Sequence, residues 1–295
     1  MTYDFNNKIA LVTGASSGLG KLISIELASL GAHVVGVARR EERLRELEVQ
    51  IGNGKFSYIV ADLLNPEDRK RIIEDIYTKF NGAEILVNNA GMVKPVLAFD
   101  NFKENREKFL KLQRDVLELD LIAPFDLYDA WLFEFEKRKS KGSKVRNPNV
   151  CIYISSQSGF YAWEGAREYQ MAKTALIAGV CESRVELEEL KKTNSNLEDL
   201  QLRSVVIYPD TFESEIPIPD GWDRMPAKFI VDTTLKSIKK EGNYGKIDDI
   251  IVKMNPDGFK GIYVGFIPTD KETKRPNFDL TMWEKIGNED QIKNN

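Results

Sequence analysis

Short aliphatic, β-branched runs alternate with segments of helical periodicity from residue 8 to beyond residue 260, and no other feature limits the fold as strongly. The runs are KIALVTG (8–14), AHVVGVAR (32–39), FSYIVADL (56–63), EILVNNAG (84–91), NVCIYISS (149–156), LRSVVIYP (202–209) and GIYVGFIP (261–268). Most are nearly continuous in Val, Ile, Leu and Ala, as strands covered on both faces are. Between them lie helical patterns such as GLGKLISIELASLG (18–31) and EERLRELEVQIG (41–52), the latter ending at Gly52 as a C-cap. Asn65 and Pro66 open another helix as N-cap and first-turn proline. This βαβ alternation predicts an α/β fold: a parallel sheet with right-handed crossovers and helices on both faces.

No solenoid-length repeat or Pro/Ser-rich linker divides the 295 residues, so one domain spanning 1–295 is expected. Two stretches read as elaborations, 103–148 and 181–200, and residues 243–258 as a small insertion before the last strand. The chain is 42% hydrophobic and 30% charged with a net charge of −4, a balance that calls for no nucleic acid. The basic run EKRKSKGSKVR (136–146) reads as a solvated loop. Cys151 and Cys181 lie in no CxxC or Cys/His cluster and His33 is the one histidine, so no metal site is expected. Two cysteines suit a reducing compartment. There is no apolar run long enough to span a membrane, and the N-terminal segment passes straight into a strand. The expectation is a cytoplasmic protein.

The segment TGASSGLGK (13–21) joins the first strand to the first helix. Gly14, Gly18 and Gly20, with Ser16, Ser17 and Leu19 between them, allow a tight turn and let a phosphate approach the helix N-terminus, where free N–H groups favour an anion. At a strand-to-helix junction within a βαβ unit, this is a dinucleotide-binding pattern. A free ribose 2′-hydroxyl calls for Asp or Glu at the end of the second strand, about 20 residues on. Arg39 and Arg40 stand there instead. A guanidinium suits a 2′-phosphate by charge and by forked hydrogen bonding, so NADP(H) is the expected cofactor, with Arg39 the favoured contact.

In AREYQMAKTALIAG (166–179), Tyr169 and Lys173 are four residues apart and share one helix face. Together with the glycine loop, the ADL of 61–63, NNAG (88–91) and Ser156 thirteen residues before Tyr169, this pair resembles the short-chain dehydrogenase/reductase family over roughly residues 5–270. The resemblance implies a Rossmann-type doubly wound fold with a seven-stranded parallel sheet of order 3-2-1-4-5-6-7. It implies cofactor contacts from Asp62 and Leu63, from Asn89, Ala90 and Gly91, from Tyr169 and Lys173, and from Pro209 and Ser214 in the turn after the sixth strand. Ser156, Tyr169 and Lys173 are then the catalytic residues, joined by Asp120 where the family has Asn in its proton relay.

Two departures stand out: Asp120 itself, and Asp210 in place of the glycine of the PGxxxT turn. Tyrosine can serve as proton donor without any histidine, but a free phenol titrates near pH ~10. A Lys ammonium about 4 Å away contributes roughly 4 kcal/mol at an effective dielectric near 20, so Lys173 is expected to lower the Tyr169 pKa. Ser156 would hydrogen-bond the substrate oxygen. The segment 214–228 falls where the family carries its substrate lid, and its aromatics, with Phe160, Tyr161 and Trp163, point to an apolar carbonyl or alcohol as the small-molecule substrate. The apolar run VLELDLIAPFDLYDAWLFEFE (116–136) predicts a homo-oligomer, dimer or tetramer. The competing reading, motivated by Asp120 and Asp210, is an NADP(H)-binding sensor or scaffold without turnover.

Overall fold

The computed structural model describes residues 2–52, 54–94, 102–103, 105–212, 224–241, 248–254, 262–267, 277 and 281–287. Strands β1 (Ile9–Thr13), β2 (His33–Ala38), β3 (Phe56–Val60), β4 (Ile85–Asn88), β5 (Val150–Ile154), β6 (Arg203–Pro209), β7 (Asp249–Met254), β8 (Ile262–Ile267) and β9 (Met282–Gly287) form one sheet of order β3-β2-β1-β4-β5-β6-β7-β8-β9. Pairing from β3 through β7 is parallel, whereas β7–β8 and β8–β9 are antiparallel. The doubly wound order expected from the sequence is therefore present, with a correction at one edge. The seventh parallel strand is β7, in a stretch read as an insertion, and the run read as the seventh strand is β8, reversed in direction. Among the described residues the sheet has nine strands rather than seven, because β8 returns against β7 and β9 against β8.

The helices are α1 (Gly18–Ser29), α2 (Glu41–Ile51), α3 (Pro66–Phe80), α4 (Arg106–Leu117), α5 (Ala123–Ser140), α6 (Arg167–Thr193) and α7 (Ala227–Lys239). Side chains alternate across each strand, so Ala10 and Val12 join a core beneath α1, α2 and α7, filled from the helix side by Ile23, Leu27, Leu44 and Ile230. Ile9 and Leu11 face the opposite core, built with Ile72 and Ile76 of α3, Trp131 and Phe135 of α5, and Leu176 and Val180 of α6. Asn65 caps α3 by accepting the Glu67 N–H, with Pro66 in the first turn as expected. In the basic run, Arg146 donates to Glu84 at 2.9 Å and to the Phe80 and Asn7 carbonyls, so this end of the loop ties the floor of the sheet together.

Between α4 and α5 the chain makes a π-turn, Glu118–Ile122, in which the Ala123 N–H bonds the Glu118 carbonyl five residues back. Pro124 explains it. Proline has no N–H to offer the Asp120 carbonyl and its ring crowds that position, so the α-helical ladder must widen there. The buried Arg69 of α3 holds this turn from outside, with a 2.8 Å ion pair to Glu118, a second to Asp126 and a 2.6 Å hydrogen bond to the Leu63 carbonyl.

Candidate active site

The carboxyl ends of the central parallel strands open into one crevice of about 390 Å³, the position where ligands bind in open α/β sheets. At its centre lies the turn from β1 to α1. Gly14 has φ +70°, and a Cβ there would stand 2.8 Å from Asn89 Nδ2 and 3.0 Å from Ala90 Cα. A Cβ at Gly20 would fall on the Gly14 carbonyl oxygen. Helix α1 opens at Ser17 without a side-chain cap and with no acidic residue in its first turn, so its leading N–H groups and positive dipole end are offered to an anion. Thr13, which the sequence reading passed over, fastens this turn to β4. Its hydroxyl accepts the N–H groups of Asn89 and Ala90, both at 3.0 Å, and donates to the Val87 carbonyl at 3.2 Å.

One end of the crevice is lined by Arg39, Arg40, Asp62 and Leu63. Arg40 reaches back over the glycine loop, with Nη2 3.1 Å from Ser16 Oγ and 2.8 Å from Ser17 Oγ. Arg39 lies 3.8 Å from the Asp62 carboxylate. That carboxylate also accepts the Leu64 N–H at 3.1 Å, which holds the loop after β3 in place.

At the other end, Tyr169 and Lys173 project from α6 and Asp120 from the π-turn. The Lys173 ammonium is buried and stands 2.9 Å from Asp120 Oδ1 and 3.2 Å from the Ile154 carbonyl. It lies 5.3 Å from the Tyr169 ring centre. Asp120 is fully buried, and its Oδ2 accepts the Met92 N–H at 2.9 Å. Gly91 makes room for this pair, since a Cβ there would sit 2.5 Å from Asp120 Oδ1. An ammonium and an N–H converging on one carboxyl group match its ionised form.

Burial acts against the Lys173 cation, but Asp120 and then Tyr169 outweigh it and hold the ammonium above its ordinary range. Burial pushes the Asp120 carboxyl up, opposed by Lys173 and the Met92 N–H. Even so, the hydroxyl of the half-buried Tyr169 titrates above the ordinary phenol value. Desolvation is the larger cause and Asp120 adds to it, while Lys173 and a hydrogen bond from Ser156 pull the other way. Lysine acts in the expected sense, and its charge is shared with the Asp120 carboxylate.

The remaining expected residues fall as follows. Ser16, Ser17, Gly18, Leu19, Asn89, Ala90 and Gly91 line the crevice with Gly14, and Ser155 lines it next to Ser156. Ser156 Oγ accepts the Ser158 N–H at 3.1 Å in the short turn after β5. Pro209 is buried at the end of β6, and Ser214 lies outside the described residues, as does the rest of the expected lid through residue 223. Phe212, which lines the crevice, was not singled out in the sequence. Trp163 meets the Tyr169 ring edge-on at 6.3 Å, Phe160 packs on Tyr208, and Tyr161 is largely exposed. Among the described residues no helix is long and apolar enough to cross a membrane.

A family model described as short chain dehydrogenase matches residues 8–194, more than half of the sequence. The chain belongs to the short-chain dehydrogenase family. It is 32% identical over 236 residues to 11-beta-hydroxysteroid dehydrogenase-like 2 of Arabidopsis thaliana, covering 79% of this chain and 68% of that one. It is 31% identical over 175 residues to the 3-oxoacyl-[acyl-carrier-protein] reductase FabG of Vibrio cholerae, covering 59% and 65%. Among solved structures, a metagenomic short-chain oxidoreductase in complex with NADP superposes with TM-score 0.64 over 85% of this chain and 98% of that one, at 24% identity, a likeness of fold. A short-chain dehydrogenase from Streptomyces avermitilis gives TM-score 0.55 at 26% identity over 70% and 68%. This short-chain dehydrogenase is thus an oxidoreductase built on a nucleotide-binding Rossmann fold, in a family that uses NAD(P)(H).

Proposed function

We propose that the chain is an NADP(H)-dependent oxidoreductase that moves a hydride between nicotinamide and a carbonyl or secondary alcohol of an apolar small molecule, with Tyr169 as acid and base. The observation that carries this reading is one crevice holding a guanidinium pair at one end and a Tyr–Lys pair at the other, with an uncapped helix N-terminus between them. The residues fit the dinucleotide. Gly14 and Gly20 leave backbone bare where a pyrophosphate would lie, Arg39 and Arg40 suit a 2′-phosphate, and Asp62 and Leu63 flank the adenine end.

When bound, the nicotinamide supplies the hydride. Lys173 and Tyr169 are proposed to hold the nicotinamide ribose, and Asn89, Ala90, Gly91, Pro209 and Ser214 to border the cofactor. Ser156 donates a hydrogen bond to the substrate oxygen as negative charge develops there. Tyr169 gives its phenolic proton to that oxygen as hydride reaches the carbonyl carbon, and in the reverse direction its phenolate takes the alcohol proton. Phe212 on the crevice wall and Trp163 against the Tyr169 ring support an apolar substrate, as does the likeness to a protein named for hydroxysteroids.

The test is NADPH consumption with a panel of ketones and aldehydes, including steroid-like and terpenoid compounds. Turnover that Tyr169→Phe abolishes supports the reading, and NADPH binding without turnover on any compound favours a sensor. Two further parts of the proposal concern setting. Phe133 is 62% exposed on α5 beside a cavity of about 300 Å³ shared with α6, which supports a homo-oligomer formed over these helices, and light scattering giving a monomer at micromolar concentration would refute it. The two buried free thiols support a reducing, cytoplasmic location.

A further inference from the structure

Resting on this proposed reading, we infer that Asp120 is a positioning residue that acts through Lys173. As the buried counter-ion of that ammonium, it withdraws part of the cation's field from Tyr169, keeps the phenol protonated through neutral pH and favours the reductive direction.

The geometry is specific. Lys173 has two polar contacts at hydrogen-bond distance among the described residues, the neutral Ile154 carbonyl at 3.2 Å and the Asp120 carboxylate at 2.9 Å. Asp120 is fully buried and aimed by the Met92 N–H, the π-turn and the bare Gly91. A neutral amide of the same shape could keep the Met92 contact but would leave the ammonium facing Tyr169 with its charge uncompensated. The other charged groups on the surrounding elements are engaged elsewhere. On the π-turn, Glu118 pairs with Arg69. On α6, Glu168 holds Gln113 and Arg167. Arg39 and Asp62 face each other at the far end of the crevice. The β4 and β5 loops contribute the Met92 N–H and the Ser155 and Ser156 hydroxyls, which carry no charge. Among the described residues, the Tyr169 hydroxyl therefore sits in the field of one cation and one anion. This agrees with its titration above the ordinary phenol value, for which burial is the larger cause.

The consequence is directional. In reduction the substrate carbon gains hydride, the substrate oxygen gains the phenolic proton, and the phenolate left behind is reprotonated from solvent. Oxidation starts from phenolate, which Asp120 disfavours. Oxidation is thus confined to alkaline pH while reduction runs on a plateau across neutral pH.

The experiment is an ultraviolet difference titration of phenolate, wild type minus Tyr169→Phe, repeated in an Asp120→Asn background and compared with pH profiles of NADPH oxidation and NADP+ reduction. The expected result is that Asp120→Asn lowers the Tyr169 midpoint and the alkaline limb of reduction together, by about one to two pH units. Asp120→Glu, which keeps the carboxylate, should restore them toward wild type. Unmoved midpoints in a folded Asp120→Asn variant would overturn the inference. So would a wild-type Tyr169 midpoint at or below that of an exposed tyrosine, which needs no Asp120 variant at all. If wild type never consumes NADPH, the proposed function fails while the titration still reads the effect of Asp120. If turnover is present and the titration does not respond, the inference about Asp120 fails alone.

Discussion

Arg40 Nη2 lies 2.8 Å from the Ser17 hydroxyl, so a residue opening α2 closes over the turn that opens α1. The contact brings a guanidinium to the loop where a phosphate would lie, with Arg39 beside it on the crevice wall.

Removing that charge should be felt by one cofactor more than the other. Arg40→Ala is expected to weaken NADPH binding about 10- to 100-fold, the loss of about 1.5–3 kcal/mol typical of a hydrogen bond to a charged group, and to change NADH binding much less. Fluorescence titration of both nucleotides reads the difference. Equal losses would argue against a 2′-phosphate contact.

Tyr169→Phe removes the proposed proton donor and leaves the ring against Trp163. Turnover should fall roughly 10²- to 10⁴-fold with NADPH affinity nearly unchanged. Steady-state kinetics alongside binding separates this from a packing defect, which would weaken both.

Gly14→Ala would set a Cβ against Asn89 Nδ2 at 2.8 Å on a backbone with φ +70°. Strain at such a position costs about 1–3 kcal/mol, so urea unfolding should shift to lower concentration. The crowded loop should also bind NADPH weakly. A variant as stable and as tight-binding as wild type would contradict the geometry of this turn.

Away from the crevice, Asp249 of β7 is fully buried, paired with Arg184 at 2.8 Å and accepting the Tyr208 hydroxyl at 2.6 Å. Asp249→Ala takes the carboxylate partner from the part-buried Arg184 and the acceptor from the buried Tyr208 hydroxyl, and should cost about 3–5 kcal/mol in urea unfolding. The double replacement Arg184→Met with Asp249→Leu should recover much of that loss, which a double-mutant cycle measures.

Burial pushes the Cys151 thiol up to about 12, from 9.0. Its folded value exceeds its unfolded one, so its contribution to stability is complete below the unfolded value and is lost as pH rises from about 9 toward 12. Native protein at pH ~8 should resist alkylation at Cys151, since the thiolate is the nucleophile, and react once unfolded. Cys151→Ala should soften the alkaline decline in stability. Rapid native labelling would show the strand to be accessible.

Much of the fold was legible because its signals are local. The glycine loop, the aliphatic strands and the Asn65–Pro66 helix start each follow from neighbouring residues, and the Tyr169–Lys173 face follows from helical spacing. The edge of the sheet was not legible. In DIIVKM (249–254) only Ile250, Ile251 and Val252 form an apolar run, between charged residues, and its place beside β6 is a tertiary fact. Nothing in GIYVGFIP says which way the strand runs, so β8 passed for a parallel strand. At the site, Asp120 could be recognised as a departure, but its pairing with Lys173 depends on a turn widened by Pro124 and on bare backbone at Gly91. Those contacts cross α6, the π-turn and the loop after β4, beyond the reach of any sequence window.

Arg69 joins the two ends of the crevice. Its guanidinium holds the Leu63 carbonyl beside the nucleotide end and Glu118 and Asp126 around the turn that carries Asp120. One buried guanidinium thus ties the loop after β3 to the turn that carries Asp120, and Arg69→Met would cut the two walls of the crevice loose from each other at this point.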